Sequence, residues 1–319
     1  MTTVRLALEA MATRFELVVQ GDDEVSLRAA GEEALAEITR LEVQLSFYRP
    51  SSEISRINAQ AARGPVPVEP RLFRLLQTAQ HLHKITQGAF DLTLAPLMRC
   101  WGFTGGTGTL PDPDALAEAR QRTGMHLVSL DDAARTVAFA RPGVLLDLGA
   151  IGKGYAIEEA ALILAEAGVT RAFLHGGTST MHAMGTPVEQ PTWSVAVPKA
   201  PPLSCAATDE NVLAVVDLKD EALSVSAVWG KAFVADGKTY GHVLDPRSGH
   251  PAQGALLAAV AGPSATVCDA LSTALLVLGL DAADLFASFE DTLRAVIVCT
   301  HDETDTLDIL QHRMPVHQV

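Results

Sequence analysis

The sequence is poor in the residues that mark several protein classes. Aromatic residues make up only 5% of its 319 residues, so alanine, leucine and valine must fill most of the core. Cysteine occurs four times, at widely separated positions and without a Cys-x-x-Cys pair: Cys100, Cys205, Cys268 and Cys299. This spacing indicates neither a zinc site nor a disulfide framework, and we expect reduced thiols.

Positive charge is also scarce. Lysine and arginine together number 24, against 38 aspartates and glutamates, which gives a net charge of -14. Because nucleic-acid binding requires clustered basic side chains that neutralise phosphates, we expect no nucleic-acid partner. A phosphorylated small molecule stays compatible with this balance, provided that one local site is positive or contains a metal ion.

Long apolar runs are missing as well. No stretch approaches the 18 apolar residues of a membrane-spanning helix, and Glu9 falls where a signal peptide needs its apolar segment. The sequence therefore predicts no transmembrane segment and a cytoplasmic location, with an exported form open if a leader was trimmed. Hydrophobic residues make up 48%, and no low-complexity linker divides the chain, so we expect one domain over residues 1–319.

The hydrophobic periodicity predicts helices and strands that are mixed without regular alternation. Helical spacing indicates helices over 24–45, 51–58, 70–87, 155–167 and 265–278, and a further helix that opens at Asp112. Extended patterns indicate strands over 4–20, 171–175, 256–261 and 294–299, and short strands within 125–147 and 193–240. The proline-rich segment 198–202 is interpreted as a surface loop. This order predicts an α+β fold of mixed sheets and packed helices rather than a doubly wound sheet.

A glycine-rich turn is the first candidate site. The run Asp147-Leu-Gly-Ala-Ile-Gly-Lys-Gly154 follows an apolar segment, 143–146, that is predicted to be a strand, and it leads into a predicted helix. Backbone N–H groups at such a helix start attract an anion, and Lys153 adds a positive charge. The glycine spacing fits neither G-x-G-x-x-G nor the Walker loop, so the alternative is that these glycines only allow a tight turn or close packing.

A second candidate lies at the start of the apolar helix 265–278. Asp269 and Thr273 are four residues apart and share one helix face, with Ser272 close by. A carboxylate and hydroxyls form an oxygen-only ligand set that suits Mg²⁺. The local alternative is that Asp269 interacts with the helix dipole in the first turn while Thr273 bonds back to the helix backbone.

The third block is Gly237-Lys-Thr-Tyr-Gly-His-Val-Leu-Asp-Pro-Arg-Ser-Gly249. Its Asp-Pro-x-Ser-Gly end is a turn signal. His242 stands just before a short apolar pair, and Asp245 follows. A histidine near a turn is usually structural, but the neighbouring carboxyl group leaves an active-site role open.

Taken together, these blocks resemble the FAD:protein FMN transferases, the ApbE family, over about residues 5–300. The resemblance extends to four further blocks in the same order. These are Met11-Ala-Thr13, Ser46-Phe-Tyr48 with Ser52-Glu-Ile-Ser-Arg-Ile-Asn58, Gly88-Ala-Phe-Asp-Leu-Thr-Leu-Ala-Pro-Leu97, and Trp101-Gly-Phe103. Each motif alone is weak, but their common order is highly specific.

The resemblance implies a fold, a reaction and a set of site residues. The fold would be a single compact, T-fold-like α+β unit. FAD would bind with its pyrophosphate beside Mg²⁺, a Thr or Ser hydroxyl of an acceptor flavoprotein would attack the FMN phosphorus, and AMP would leave. Mg²⁺ would be bound by Ala150 (through its carbonyl), Asp269, Ser272 and Thr273. FAD would contact Met11, Tyr48, Ala89, Phe90, Asp91, Asp147, Lys153 and Val243. His242 or Asp245 would assist proton removal.

The sequence departs from the family pattern at four places, the last of which is Ser226-Ala-Val-Trp229, where the family usually has Ser-Gly-x-Tyr. Ala12 and Ala150 replace glycines, which is harmless unless the backbone there requires a positive φ. Thr178 replaces Asn or Asp, and Trp229 replaces a tyrosine, so acceptor recognition or part of the flavin contact is in question. Two other functions therefore stay open: a Mg²⁺-dependent FAD pyrophosphatase that releases FMN and AMP, and a non-catalytic FAD-binding protein.

Overall fold

The architecture is organised around one eight-stranded sheet. The structure is a computed structural model, and it describes residues 1–198, 212–289, 291–300 and 307–316. In this part of the chain the strands are β1 (Thr2–Ala10), β2 (Thr13–Gly21), β3 (Val66–Pro67), β4 (Val128–Asp131), β5 (Thr136–Phe139), β6 (Ala172–Gly176), β7 (Thr180–Met184), β8 (Trp193–Pro198), β9 (Val212–Leu218), β10 (Glu221–Ala227), β11 (Ala232–Ala235), β12 (Lys238–Gly241), β13 (Ala255–Gly262), β14 (Arg294–Thr300) and β15 (Leu307–His312). The α-helices are α1 (Glu24–Leu45), α2 (Glu53–Gln60), α3 (Pro70–Ile85), α4 (Ala95–Cys100), α5 (Pro113–Gln121), α6 (Gly152–Glu166), α7 (Ala265–Leu278) and α8 (Ala283–Phe286).

The large sheet is antiparallel throughout, in the order β1-β2-β6-β7-β10-β13-β14-β15. Its strands come from both ends of the chain. Helices α1, α6 and α7 pack against it and against one another. The result is one compact unit of mixed sheets and packed helices, which confirms the predicted α+β class.

Both faces of the central strands are buried. On β14, Ala295 and Ile297 join the large core beneath the helices, while Val296 and Val298 join a second core on the opposite face. Residues of β9 complete the second core, because the β8–β9 hairpin packs over that face. A strand buried on both faces needs no polar alternation, which explains the continuous apolar sequence of β13 and β14.

Several helix boundaries follow the predicted signals. Ser52 caps α2 by accepting a hydrogen bond from the Ser55 amide, and Pro70 occupies the first turn of α3. The helical stretch Ala265–Phe286 is long and apolar enough to cross a membrane by composition alone, but 72% of its most apolar window is buried inside the fold. Such burial is typical of a core helix.

Three predicted boundaries differ in the structure. The extended region 4–20 is a hairpin of two strands rather than a single strand. Helix α6 begins at Gly152, three residues earlier than predicted, so Lys153 lies inside its first turn. The apolar segment 143–146 has no strand pairing; instead the Asn58 side chain exchanges two hydrogen bonds with the backbone of Leu146, at 2.8 and 2.9 Å.

Further predictions concern the cysteines, the proline-rich loop and the strand at 294–299. The cysteines in the described ranges are free thiols, as expected: Cys100, Cys268 and Cys299. Cys205 and most of the predicted loop 198–202 lie outside the described residues. The strand predicted over 294–299 corresponds to β14 and is not the last, since β15 follows it.

The turn between β1 and β2 is strained at Ala12. Met11 and Ala12 form a two-residue loop with φ values of +50° and +57°, the left-handed conformations of a type I′ turn. Glycine adopts this conformation without a steric penalty, whereas alanine does not. The departure at Ala12 is therefore not harmless, while Ala150 does not have a positive φ.

We expect Ala12→Gly to raise the free energy of unfolding by about 1 kcal/mol, because it relieves a left-handed alanine. Urea denaturation of the wild type and the variant measures this difference. Ala150→Gly is the matched control and should give no gain. A loss of stability in Ala12→Gly would contradict the strain argument.

Candidate active site

A buried carboxylate lies at the centre of the candidate site. Asp269 is only 3% exposed. Its Oδ2 accepts a hydrogen bond from the Gly154 amide at 2.9 Å, and its Oδ1 accepts from the hydroxyls of Thr180 and Ser224 at 3.2 and 3.3 Å. These donors are all neutral. The carboxylate is therefore desolvated without a basic side chain among its hydrogen-bond partners.

A cluster of five hydroxyls surrounds this carboxylate. The Ser226 Oγ lies 2.9 Å from the Ser272 Oγ and 3.2 Å from the Thr273 Oγ1. The Ser272 hydroxyl donates a hydrogen bond to the Ser224 Oγ at 3.2 Å. We call the set the hydroxyl cluster; its members are Thr180, Ser224, Ser226, Ser272 and Thr273. The cluster joins α7 to strands β7 and β10, so it rests on rigid elements.

Two residues of this cluster lie two positions apart on one strand. Ser224 and Ser226 share a face of β10, the face that packs against α7. Neither serine was among the predicted site residues, and nor was Thr180; Ser226 was noted only as the start of the block that replaces Ser-Gly-x-Tyr. Hydroxyl residues at period two in an otherwise apolar strand were the available signal for the two serines.

The position of Asp269 within α7 differs from the prediction. The helix begins at Ala265 with Ser264 as its cap, so Asp269 lies in the second turn rather than the first. Its carboxylate faces the N-terminus of a different helix, α6, through the Gly154 amide. The predicted backbone bonding is present too, since Ser272 and Thr273 both donate to the Asp269 carbonyl, at 3.0 and 3.3 Å.

Helix α6 starts without a side-chain cap, and two of its first three amides find other partners: Gly152 donates to the Leu148 carbonyl at 2.7 Å and Gly154 to Asp269 at 2.9 Å. Its approach to α7 depends on Gly154. A Cβ at this position would lie 2.3 Å from the Ala265 carbonyl oxygen and 2.6 Å from the Asp269 Cβ. The close-packing interpretation of the glycine turn is therefore confirmed at Gly154, while anion binding at the helix start, which carries the half-buried Lys153, stays a prediction.

Tyr48 and Asp147 lie on the exposed side of this helix start. The Asp147 amide donates to the Leu92 carbonyl at 2.7 Å, and burial raises the pKa of its carboxyl group. Tyr48 is 72% exposed. Desolvation and the nearby Asp147 charge raise the pKa of its hydroxyl, while Arg99 lowers it. The exposed ring is free to stack on a planar ligand.

The segment Ala89-Phe90-Asp91 is buried, and its carboxylate is occupied internally. Asp91 accepts hydrogen bonds from the Thr93 amide and hydroxyl and from the Met125 amide, at 2.5 to 2.9 Å. His83 Nδ1 lies 3.2 Å from the same carboxylate and 2.9 Å from the Phe90 carbonyl oxygen. A ligand at this segment would therefore meet its backbone before its carboxylate.

The remaining predicted site residues differ in how far hydrogen bonds fix them. Met11 is fixed by its amide, which donates to Glu42 Oε1 at 2.8 Å. Asp245 is engaged by Arg247, whose side chain donates to both carboxylate oxygens at 2.9 Å. His242 Nδ1 lies 3.1 Å from the Lys231 carbonyl oxygen, and burial lowers its pKa. Ala150 and Val243 are half-buried at the edge of the large core.

Contacts join the motif blocks in space. The 147–155 block meets the 88–97 block through Asp147 and Leu92, and it meets the 269–273 block through Gly154. Trp101 Nε1 donates to the Gly249 carbonyl at 2.8 Å, which joins the third block. Within the described ranges, no hydrogen bond or ion pair connects His242 or Asp245 directly to Asp269.

This arrangement brings the motif blocks together around a buried carboxylate, a set of hydroxyls and the start of a glycine-rich helix. The chain belongs to the ApbE family, whose model matches residues 11–297.

Curated relatives agree with this assignment. The chain is 30% identical to an FAD:protein FMN transferase of Klebsiella pneumoniae over 86% of this chain and 78% of the relative. It is 29% identical to an FAD:protein FMN transferase of Haemophilus influenzae, over 88% and 82% of the two chains.

Solved structures share the fold over nearly the whole chain. The ApbE protein of Thermotoga maritima superposes with a TM-score of 0.85 at 28% identity, covering 98% of this chain and 97% of that one. The flavinyl transferase ApbE of Pseudomonas stutzeri gives a TM-score of 0.82 at 27% identity, covering 98% and 95%.

We expect Gly154→Ala to lower the free energy of unfolding by about 1–3 kcal/mol, because its methyl group would overlap the backbone of α7. Chemical denaturation measures the effect. Gly64→Ala is the control, since a Cβ there meets nothing within 4 Å. Equal stability of the two variants would show that α6 and α7 can separate without cost.

Proposed function

We propose that this protein is an FAD:protein FMN transferase. In the reaction, a hydroxyl oxygen of the acceptor protein forms a bond to the FMN phosphorus of FAD. The pyrophosphate P–O bond to AMP breaks, AMP leaves, and a base takes the hydroxyl proton. The observation that carries the proposal is the buried Asp269 carboxylate held against the start of α6, with the family's motif blocks joined around it.

The residues around Asp269 fit Mg²⁺. Asp269 Oδ2 accepts a single hydrogen bond, so it retains a lone pair. The neighbouring side-chain atoms that could bind a cation are all oxygens. We propose that Asp269, Thr273 and the Ala150 carbonyl hold the ion, with Ser272 close by. When bound, Mg²⁺ would neutralise charge on the pyrophosphate.

The start of α6 supports binding of the same pyrophosphate. The positive end of the helix dipole and the ammonium group of Lys153 supply positive potential in a protein of net charge -14. We propose that Tyr48 stacks on the flavin and that Asp147 and the backbone of Ala89 and Phe90 position FAD, together with Met11, Asp91 and Val243.

His242 is the stronger of the two candidates for the base. Its Nδ1 faces a carbonyl oxygen, which only accepts, so Nδ1 carries the hydrogen and Nε2 keeps its lone pair in the neutral ring. Burial lowers its pKa, so the neutral form dominates at pH 7. Because the Asp245 carboxylate is paired with Arg247, we propose that Asp245 shapes the turn and that His242 takes the proton.

One experiment separates this proposal from its alternatives. The protein is incubated with FAD, Mg²⁺ and an acceptor domain that carries a Thr flavinylation site, and both the acceptor mass and released AMP are followed. Transfer adds FMN to the acceptor. Release of FMN and AMP with an unmodified acceptor would indicate a pyrophosphatase, and intact bound FAD would indicate a non-catalytic binding protein.

We expect Asp269→Asn to reduce turnover by about 100-fold or more, since it removes the charge that holds the cation. The initial rate of acceptor flavinylation measures this loss, and circular dichroism checks that the variant folds. Asp284→Asn, at an exposed position on α8, is the control. Full activity of Asp269→Asn would refute the metal assignment.

The transfer rate should depend on pH through His242. A base acts in its neutral form, so activity falls as the pH drops through a pKa that burial has lowered below the ordinary value of about 6.5. The pH profile of the single-turnover rate measures this acid limb. In His242→Gln the limb should vanish along with most of the rate; persistence of the limb would assign it to another group.

A further inference from the structure

A concavity adjoins the proposed active site and shares one residue, Asp91, with it. It is a cleft of about 510 Å³ between α5, the end of α3 and the turn at Pro246-Arg247. Four basic side chains line it: His83, Arg120, His126 and Arg247. Its volume falls within the range of small-ligand sites.

Two of these side chains pack over Gly88, which lacks a side chain of its own. A Cβ built on Gly88 would lie 3.5 Å from His83 Cε1 and 3.6 Å from Arg247 Cγ, so these two side chains meet above the glycine. Arg120 joins them, because its guanidinium donates to the Arg247 carbonyl at 3.3 Å. The His126 ring lies across Gly124 on the same wall.

Acceptor groups are few in this cleft. Asp91 is the one carboxylate among its lining residues, and both of its oxygens are bonded to Thr93, Met125 and His83. Arg247 is paired with Asp245, whereas no ion pair of Arg120 is found in the described part of the chain. The cleft is thus a concentration of donors in a protein of net charge -14.

The cleft is separate from the site around Asp269. Of the residues assigned to FAD, Mg²⁺ or proton transfer, Asp91 alone lines it. Asp91 is therefore shared by the cleft and the proposed FAD site. Its backbone belongs to the proposed FAD segment, and its carboxylate holds His83 on the side of the cleft.

We propose that this cleft is a second binding site, for a small molecule that carries a phosphate group. Guanidinium groups bind phosphate through paired N–H donors, and imidazoles supply further donors when protonated. The open guanidinium of Arg120 provides the principal contact, and His83, His126 and Arg247 complete the ring of donors. The proposal does not depend on flavin transfer.

Calorimetric titration with inorganic phosphate, without FAD or Mg²⁺ and at constant ionic strength, tests this site. The wild type should bind one equivalent. Arg120→Gln should weaken binding at least fivefold, and His126→Gln should weaken it in the same direction. Arg5→Gln, at an exposed position on β1, should leave it unchanged.

Three results would overturn the proposal: no saturable binding, equal binding by wild type and Arg120→Gln, or loss of binding in Lys153→Gln. The last result would assign the phosphate to the active site. Malonate serves as a second probe; it should bind at least fivefold more weakly than phosphate, and equal affinity would refute the phosphate class. Because these titrations use no FAD, their interpretation does not depend on whether the protein transfers FMN.

Discussion

The hydrogen bond between the Gly154 amide and the Asp269 carboxylate fixes the rest of the site. It joins residues 115 positions apart and brings two motif blocks together. The bond sets the start of α6 against the second turn of α7, so Lys153, Thr273 and the turn at Ala150 are oriented by one contact. The partially positive end of one helix thereby stabilises a carboxylate carried by another, and no basic side chain is required.

The sheet supplies the other half of the support. Strand β10 lies between β7 and β13, and its Ser224 and Ser226 bond to side chains of α7. Residues on paired strands and packed helices have little freedom, which suits the proposed cation site, since such a site requires fixed ligands. The predicted flavin contacts lie instead on connecting segments, such as the exposed segment of Tyr48 and the buried segment of Ala89. The proposed reaction centre and the proposed flavin contacts thus rest on different kinds of element.

Local patterns were enough to predict much of this molecule. Capping residues and periodicity indicated α2, α3 and α7, and the four-residue spacing placed Asp269 and Thr273 on one face. Features that depend on distant partners escaped the sequence analysis. The start of α6 is set by its packing on α7, and Thr180 joins the hydroxyl cluster through sheet pairing. Neither partner is visible in a local window of sequence. Asp245 and Arg247, by contrast, are only two residues apart, so their ion pair was within reach of the turn signal.

Close packing at Gly154 limits how such a protein can be re-engineered. The spacing between α6 and α7 is set by backbone contact and not by interchangeable side chains, so it cannot be widened gradually by substitution. Any side chain at position 154 would have to displace the backbone of α7. Selection for new properties should therefore change exposed segments, such as that of Tyr48, and leave the helix pair untouched.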